Sequence, residues 1–365
     1  MIGVNAKAAF HYPPTGLEEY TLRLILHLAI EAKRQRVKTV FYAPRFTHEE
    51  IPNMRLKTLR ASFMWTQGRL ALELFFNPPD VFLNPEQILP LFAPTKSVIT
   101  VHDLAFEIYP QYYPAWHRYY LHKVTKRSVK RAKRIIAVSE RTKRDVAKCY
   151  GIPLRSIEVI HHGFSSPART RNDLSIASEI QTTTFPFSLP YLLFLGRIEY
   201  KKNLMTLIDA FGILAKELGQ SFSLVLAGSD GFGASEIRER AKQSWVSRAI
   251  HFPGYVNKEQ KYLLYRHASA FVFPSWYEGF GLPILEAQSF GVPVVASNTS
   301  SLPEVAGEGA LFVDPQNPES IADGIFAALT KIKTRQILIR RGYQNLERFS
   351  WQTSARQTIK VLTNL

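Results

Sequence analysis

The sequence holds a single cysteine, Cys149, in 365 residues. That excludes an intramolecular disulfide and any metal site built from several thiolates. Cys149 itself reads as a small, partly buried residue. No apolar run is long enough to span a bilayer. The opening residues, Met1-Ile2-Gly3-Val4-Asn5-Ala6, carry no charged region and no cleavage-site pattern. The expected location is therefore the cytoplasm. No repeat of fixed period runs through the chain, which excludes a repeat array. Acidic residues are scarce: 30 Asp and Glu stand against 46 Lys and Arg, a formal net charge of +16.

The acid deficit is uneven. Residues 1–174 carry 27 Lys and Arg against 14 Asp and Glu, and the remainder 19 against 16. A basic N-terminal half implies an anionic partner there: a membrane surface, a pyrophosphate-linked acceptor or nucleic acid. The length suits two domains with separate cores, and 46% hydrophobic residues suits a soluble globular protein.

What is present is an alternation of apolar runs and helical patterns, occurring twice. In the first half, Ile2-Gly3-Val4, Val37–Tyr42, Asp80–Leu83, Lys96–Val101, Arg134–Ser139 and Ile157–Ile160 read as strands. A helix is expected from Glu18 to about Lys33, after the loop His11–Leu17 with Thr15-Gly16. Ser139 is placed to cap another. Residues 50–76 are less regular and mix arginines with Phe63, Met64, Trp65, Phe75 and Phe76. They fit either a lipid-facing surface or a core helix with solvated arginines.

Residues 116–134 read as a strongly basic helix. Lys123, Lys126, Arg127, Lys130, Arg131 and Arg134 recur at helical spacing, with Tyr119, Tyr120, Leu121, Val124 and Val129 as apolar anchors. This is a surface for anionic lipid, at about 1 kcal/mol per cation near the membrane. A solvated charged face is the alternative. His161-His162 is not read as a metal site, because adjacent histidines point different ways.

Residues 165–190 are rich in Ser, Thr and Pro and read as a linker. The expected domains are 1–170 and 186–349, with a terminal helix at 350–365 crossing back to the first. In the second half, strands are expected at Tyr191–Leu195, Phe222–Gly228, Ile250–Val256, Ala270–Phe273, Val292–Ser297 and Ala310–Asp314. Helices are expected over about Leu204–Glu217 and Lys258–His267.

The densest signal is Ser275-Trp276-Tyr277-Glu278-Gly279-Phe280-Gly281-Leu282-Pro283-Ile284-Leu285-Glu286-Ala287. A buried strand leads into a glycine turn, and Pro283 suits the first position of a helix. Gly279 and Gly281 let the backbone approach a ligand. A helix N-terminus at such a turn holds an anionic phosphate without a metal. Glu278 on the turn and Glu286 one turn into the helix can line the same pocket mouth. At the end of Tyr191–Leu195, Arg197 and Lys202 lie where a diphosphate would be held.

The Glu278 and Glu286 pair, with Gly-Phe-Gly-Leu-Pro between them, resembles the glutamate pair of retaining glycosyltransferases of family 4. Gly196-Arg197 with Lys202-Asn203 resembles that family's Gly-Arg and Lys-Asn signature. Val101-His102-Asp103-Leu104 resembles its His-Asp segment, and Thr15-Gly16 its glycine turn. His161-His162-Gly163 departs from the family's usual Pro-Asn-Gly-like turn. The resemblance covers nearly the full chain and is stronger in the second half, as expected if the first domain binds the variable acceptor and the second the nucleotide sugar.

It implies an α/β protein of the GT-B fold, two Rossmann-like parallel-sheet domains facing across a cleft. Arg197 and Lys202, with amides of Gly279, Phe280, Gly281 and Leu282, would hold the donor diphosphate. Glu278 would contact the transferred sugar and Glu286 the ribose. His102 would reach the sugar from the other domain. Gly16 would lie opposite the phosphates, and Tyr255 and Val256 beside the base. No Asp-x-Asp signature sits at a strand end, so metal-independent transfer with no cofactor is expected. The family retains anomeric configuration, with a leaving phosphate oxygen taking the acceptor proton.

The Thr15-Gly16 loop and the His102-Asp103 segment most resemble mannosyltransferase-like members. GDP-mannose is therefore the preferred donor and a UDP-sugar the alternative. The acceptor would be a glycan or lipid-linked glycan in polysaccharide synthesis, with peripheral contact to an anionic membrane. Two other readings stand beside this one: a nucleotide-sugar epimerase on the same fold, and a basic nucleic-acid-binding protein. The last has no recognition motif and leaves the Arg197, Lys202, Glu278 and Glu286 set unexplained, so nucleic acid is not expected as a partner.

Overall fold

A computed structural model of the chain describes residues 1–11, 16–44, 53–61, 63–166, 190–219 and 222–365. Thr15 and most of the predicted linker lie outside the described residues. Contacts divide the chain into two units. One comprises Met1–Ile108, Pro114–Gly163 and Phe349–Leu365, the other Tyr109–Tyr113 and Phe164–Arg348.

The first unit is built on seven strands: β1 (Ile2–Asn5), β2 (Thr39–Ala43), β3 (Leu56–Thr58), β4 (Val81–Asn84), β5 (Ser97–Val101), β6 (Arg134–Ala137) and β7 (Ile157–Val159). Their order is β3-β2-β1-β4-β5-β6-β7, and every pairing is parallel. The helices are α1 (Gly16–Arg34), α2 (Ala71–Phe76), α3 (Ala105–Ile108), α4 (Ala115–Arg131) and α5 (Glu140–Tyr150). β1, β4 and β5 are buried at every residue. A parallel strand covered on both faces needs continuous apolar sequence, so these strands are visible as runs. Ser139 caps α5 by accepting a hydrogen bond from the Thr142 amide at 3.1 Å.

The basic helix is shorter than predicted. It ends at Arg131, where Ala132 turns extended, and Arg134 already pairs with Val98 in the sheet. Residues 50–76, left irregular by the pattern, contain β3, followed by a π-turn over Thr66–Leu70 that runs into α2.

The second unit holds six strands: β8 (Tyr191–Leu195), β9 (Ser223–Ala227), β10 (Ile250–Gly254), β11 (Ala270–Phe273), β12 (Val294–Ser297) and β13 (Ala310–Val313). The order is β10-β9-β8-β11-β12-β13, again parallel throughout. Its helices are α6 (Leu204–Leu218), α7 (Ala234–Gln243), α8 (Lys258–His267), α9 (Leu282–Ser289), α10 (Leu302–Ala306), α11 (Pro318–Thr330) and α12 (Ile332–Leu346). One core runs through this unit, from Leu192 and Phe194 to Phe211, Phe271, Val295 and Ile325.

The last helix, α13 (Trp351–Thr363), belongs to the first unit and packs along α1. Trp351 and Ile359 join the core formed by Val4, Leu24, Ile25 and Leu83. Gly163 makes this docking possible: a Cβ there would lie 2.2 Å from the Trp351 backbone nitrogen.

Candidate active site

In each sheet the chain leaves one strand to pair on one side, then returns to pair on the other. Such switch points leave a crevice beyond the carboxyl ends of the two strands. In the second unit the switch strand is β8, flanked by β9 and β11. Gly196 and Arg197 follow β8, and Ser275 to Glu278 follow β11.

The loop after β8 fits closely against the loop after β9. A Cβ on Gly228 would sit 1.9 Å from the Gly196 carbonyl oxygen. Only glycine allows that approach. The chain then makes one 3-10 turn, Tyr200–Lys202, and enters α6 through Asn203 in the left-handed conformation. The buried Asn203 amide donates to the carbonyls of Pro274 at 3.1 Å and Pro315 at 2.7 Å. This ties the start of α6 to the end of β11.

Lys202 is thereby brought to the glycine turn. Its Nζ donates to Glu278 Oε1 at 2.6 Å and lies over the Phe273 ring, 5.5 Å from the centroid. Both side chains are largely buried, each 12% exposed. The turn is held from behind by the segment between β12 and α10. The Glu278 amide donates to Ser300 Oγ at 2.9 Å, and Ser301 Oγ donates to the Glu278 and Phe280 carbonyls at 2.8 and 2.7 Å. Gly281 then begins α9 with φ of 121°, and a Cβ there would meet Leu302 at 3.0 Å. Phe280 is buried, so the turn offers its backbone rather than this ring to a ligand.

Glu286 points to α8. Lys261 Nζ donates to its Oε1 at 2.5 Å, and the Tyr265 hydroxyl donates to its Oε2 at 3.0 Å. Lys261 and Tyr265 are four residues apart and so share one helix face. Tyr265 is fully buried, stacked on Phe290. Burial, then the neighbouring carboxylate, drive its hydroxyl well above the ordinary phenol range. It stays a donor at any working pH.

Lys202, Glu278, Gly279, Phe280, Gly281, Leu282 and Glu286 therefore lie on one turn and its supports. Arg197 stands at the same strand end but is exposed, and its Nη2 donates to the Asp230 carbonyl at 3.4 Å. Tyr255 follows β10 and is 60% exposed, while Val256 packs partly against the core. Gly16 and His102 belong to the first unit. Gly16 is the first residue of α1, with open space where a Cβ would be. His102 Nε2 is 2.8 Å from the Pro85 carbonyl oxygen, and its ring meets Tyr20 edge-on at 4.6 Å. Burial lowers its pKa. Among the described residues, no three His, Cys, Asp or Glu side chains converge as metal ligands.

Sequence reading missed Asn203 as a tie, Lys261 and Tyr265 on α8, and the Ser300-Ser301 clamp. The i, i+4 spacing of Lys261 and Tyr265 was visible, but not their target. Chemically, this turn offers a cation, two carboxylates and a helix N-terminus around one backbone bend. An anion and hydroxyl groups presented together would satisfy all of them.

Two parallel-sheet units, each with such a switch point, define the GT-B fold. Solved structures share the fold along the whole chain. WaaG, a glycosyltransferase involved in lipopolysaccharide biosynthesis, superposes with a TM-score of 0.73 at 14% identity, covering 100% of both chains. Anabaena Alr3699/HepE, solved with UDP and glucose, gives 0.72 at 17% identity, covering 100% of this chain and 99% of that one.

Sequence comparison narrows the class. Residues 15–166 match the family described as Glycosyltransferase Family 4, and residues 177–345 match Glycosyl transferases group 1. The O-antigen chain mannosyltransferase B of Escherichia coli is 30% identical over 381 residues, 98% of this chain and 98% of that protein. The chain belongs to the family 4 glycosyltransferases.

Proposed function

We propose that the protein transfers mannose from a nucleotide-diphosphate mannose, GDP-mannose by preference, to a glycan or lipid-linked acceptor in surface polysaccharide synthesis. The observation that carries the donor site is the Lys202 to Glu278 contact at the glycine turn, with Glu286 held a helix turn away. As the glycosidic bond breaks, negative charge grows on the leaving diphosphate. Lys202 and Arg197, with the N-terminus of α9, would meet that charge. Glu278 would take hydroxyls of the transferred sugar and Glu286 those of the ribose. The sugar assignment is supported by the full-length likeness to an O-antigen mannosyltransferase. The family resemblance supports retention of configuration, and these cations support transfer without a divalent metal.

The test is a thermal-shift screen of nucleotide sugars followed by transfer assays with and without EDTA. A bound donor raises stability by mass action, about 2.7 kcal/mol at a hundred times its Kd. GDP-mannose should give the largest shift, and EDTA should leave the rate unchanged. Stabilisation only by another sugar would reassign the donor, and an EDTA-sensitive rate would end the metal-free reading. Epimerised sugar without an acceptor product would point to the epimerase instead.

Peripheral membrane contact is part of the same proposal. Along α4, Trp116, Tyr119 and Tyr120 are exposed with Arg118, Lys123, Lys126, Arg127 and Lys130. Val129, read from sequence as an anchor, is buried in the unit, and Leu121 and Val124 are half-buried. The outward apolar groups are therefore aromatic. Among the described residues, no helix is long and apolar enough to cross a membrane. Cosedimentation with vesicles rich in anionic lipid, lost in Lys123→Glu/Lys126→Glu/Lys130→Glu, is the expected result.

A further inference from the structure

The segment Tyr109–Tyr113 runs in sequence between α3 and α4, yet by its contacts it belongs to the second unit. Pro110 accounts for its shape. A residue before proline is kept out of the helical region, so the chain bends at Tyr109, with φ of −126° and ψ of 64°. Pro110 then opens a 3-10 turn, Pro110–Tyr112, closed by the Tyr112 amide donating to the Tyr109 carbonyl at 3.1 Å. Residues three apart eclipse in such a turn. The rings of Tyr109 and Tyr112 accordingly stack, 5.8 Å between centroids and 8° between planes.

Both rings meet residues that adjoin the glycine-turn ion pair. Tyr109 lies 6.2 Å from Tyr277, which is fully buried and precedes Glu278. Tyr112 stacks at 6.0 Å on Tyr200, the first residue of the 3-10 turn that ends in Lys202. These separations are those of attracting aromatic pairs. Tyr200 is backed in turn by Phe232, edge-on at 5.6 Å, and by Gly233, where a Cβ would come within 2.3 Å of the ring. A further tie joins the same two arms of chain: the Trp276 amide donates to the Lys201 carbonyl at 3.0 Å.

The arms carrying Lys202 and Glu278 are therefore connected three times. One connection is their own ion pair, the second is the Trp276 to Lys201 hydrogen bond, and the third is the ring series Tyr277, Tyr109, Tyr112 and Tyr200. A donor that takes up the ammonium and the carboxylate separately would open the first. The other two involve neither charged group and would persist.

We propose that Tyr109 and Tyr112 are positioning residues: their stacked rings brace Tyr200 against Tyr277 and so keep Lys202 and Glu278 in register once a bound donor parts them. This rests on the glycosyl transfer argued above. It adds a device for holding the donor groups that is built from a segment distant in sequence from all of them.

The experiment uses the full chain, with hydrogen exchange in the absence of any substrate and steady-state transfer from GDP-mannose. Tyr112→Ala should speed exchange of the Trp276 amide about tenfold, because the arms lose one of their ties. It should lower kcat roughly tenfold and move the donor KM by less than about threefold, since misplacing Lys202 costs most when charge develops on the leaving group. Tyr112→Phe keeps the ring and should recover most of both effects. Tyr112→Leu keeps the bulk without the ring and should repeat the loss, which covers the case of an unstable alanine variant. In a Lys202→Met background, Tyr112→Ala should change kcat by less than about twofold, because the group being positioned is gone. Unaltered exchange at Trp276, a loss that Tyr112→Phe does not recover, or losses that multiply in the double variant would overturn the brace. Faster exchange at Trp276 in a protein that consumes no nucleotide sugar would uphold the brace and overturn the transfer reading instead.

Discussion

Lys202 Nζ donates to Glu278 Oε1 at 2.6 Å, although the two residues come from opposite sides of the switch in the second sheet. Each is the counter-ion of the other until a ligand arrives. A diphosphate would draw the ammonium away, and a sugar hydroxyl would replace it on the carboxylate. On the proposed reading the pair is a placeholder for the donor. Lys202→Met should lower kcat by about 10²–10³-fold, the effect of losing one preorganised donor to a developing anion. Glu278→Ala should abolish transfer without unfolding the protein. Near-normal turnover in either variant, measured by nucleotide release, would remove that residue from the reaction.

The contact of Glu286 with Lys261 and Tyr265 predicts a different kinetic signature. These groups hold the carboxylate in one orientation, and on the proposed reading they do not act on the breaking bond. Tyr265→Phe removes one hydrogen bond to a charged group, and Lys261→Met removes the stronger one. Each should raise the donor KM, by roughly tenfold for Lys261→Met, with little change in kcat. Lys261→Arg should recover most of the loss. A fall confined to kcat would mean that Lys261 acts at the transition state instead.

How far the sequence announced this arrangement depends on where each contact's partners lie. Strands such as Phe271–Phe273 and Leu192–Phe194 were legible because burial on both faces leaves an unbroken apolar run. Helix α8 was legible to the residue, and its capping box of Asn257 and Gln260 accounts for the sharp start. The glycine turn and its two glutamates are local, so they stood out. Lys261 and Tyr265 reach Glu286 over 25 and 21 residues. Ser300 and Ser301 reach Glu278 over 22 and 23. Such contacts have no local period. The long helices α11 and α12 carry no chemical motif and went unread. The end of the basic helix was misplaced because Lys133 and Arg134 continue its charge pattern, while the backbone turns extended at Ala132 and Arg134 joins β6.

Gly163 tests how tightly the last helix is bound to the first unit. The Trp351 backbone occupies the space that any side chain would need, and backbone cannot swing aside. Gly163→Ala should therefore push α13 off its seat and destabilise the first unit by about 3 kcal/mol or more. Urea unfolding followed by tryptophan fluorescence reads this directly, since Trp351 sits at the contact. A midpoint equal to that of the wild type would show that the helix end can shift without loss.

The buried histidines predict how stability changes with pH. His162 is 6% exposed, beside Tyr20 at 4.4 Å, Trp351 at 6.3 Å and His102 at 5.5 Å between ring centroids. Burial, followed by the nearby His102 and His161, holds its pKa well below 6.5. The folded state therefore keeps the ring neutral while the unfolded chain protonates it near pH 6.5. Below that pH the unfolded state binds the extra proton, so stability is full above about 6.5 and declines as pH falls towards the folded pKa. The slope is about 1.4 kcal/mol per pH unit for each such histidine. Burial lowers the pKa of His102 as well, adding to the same trend. Urea midpoints measured from pH 7.5 to 5.0 should fall, and His162→Gln should remove roughly one proton's share of the slope. An equal slope in the variant would place the acid sensitivity elsewhere in the protein.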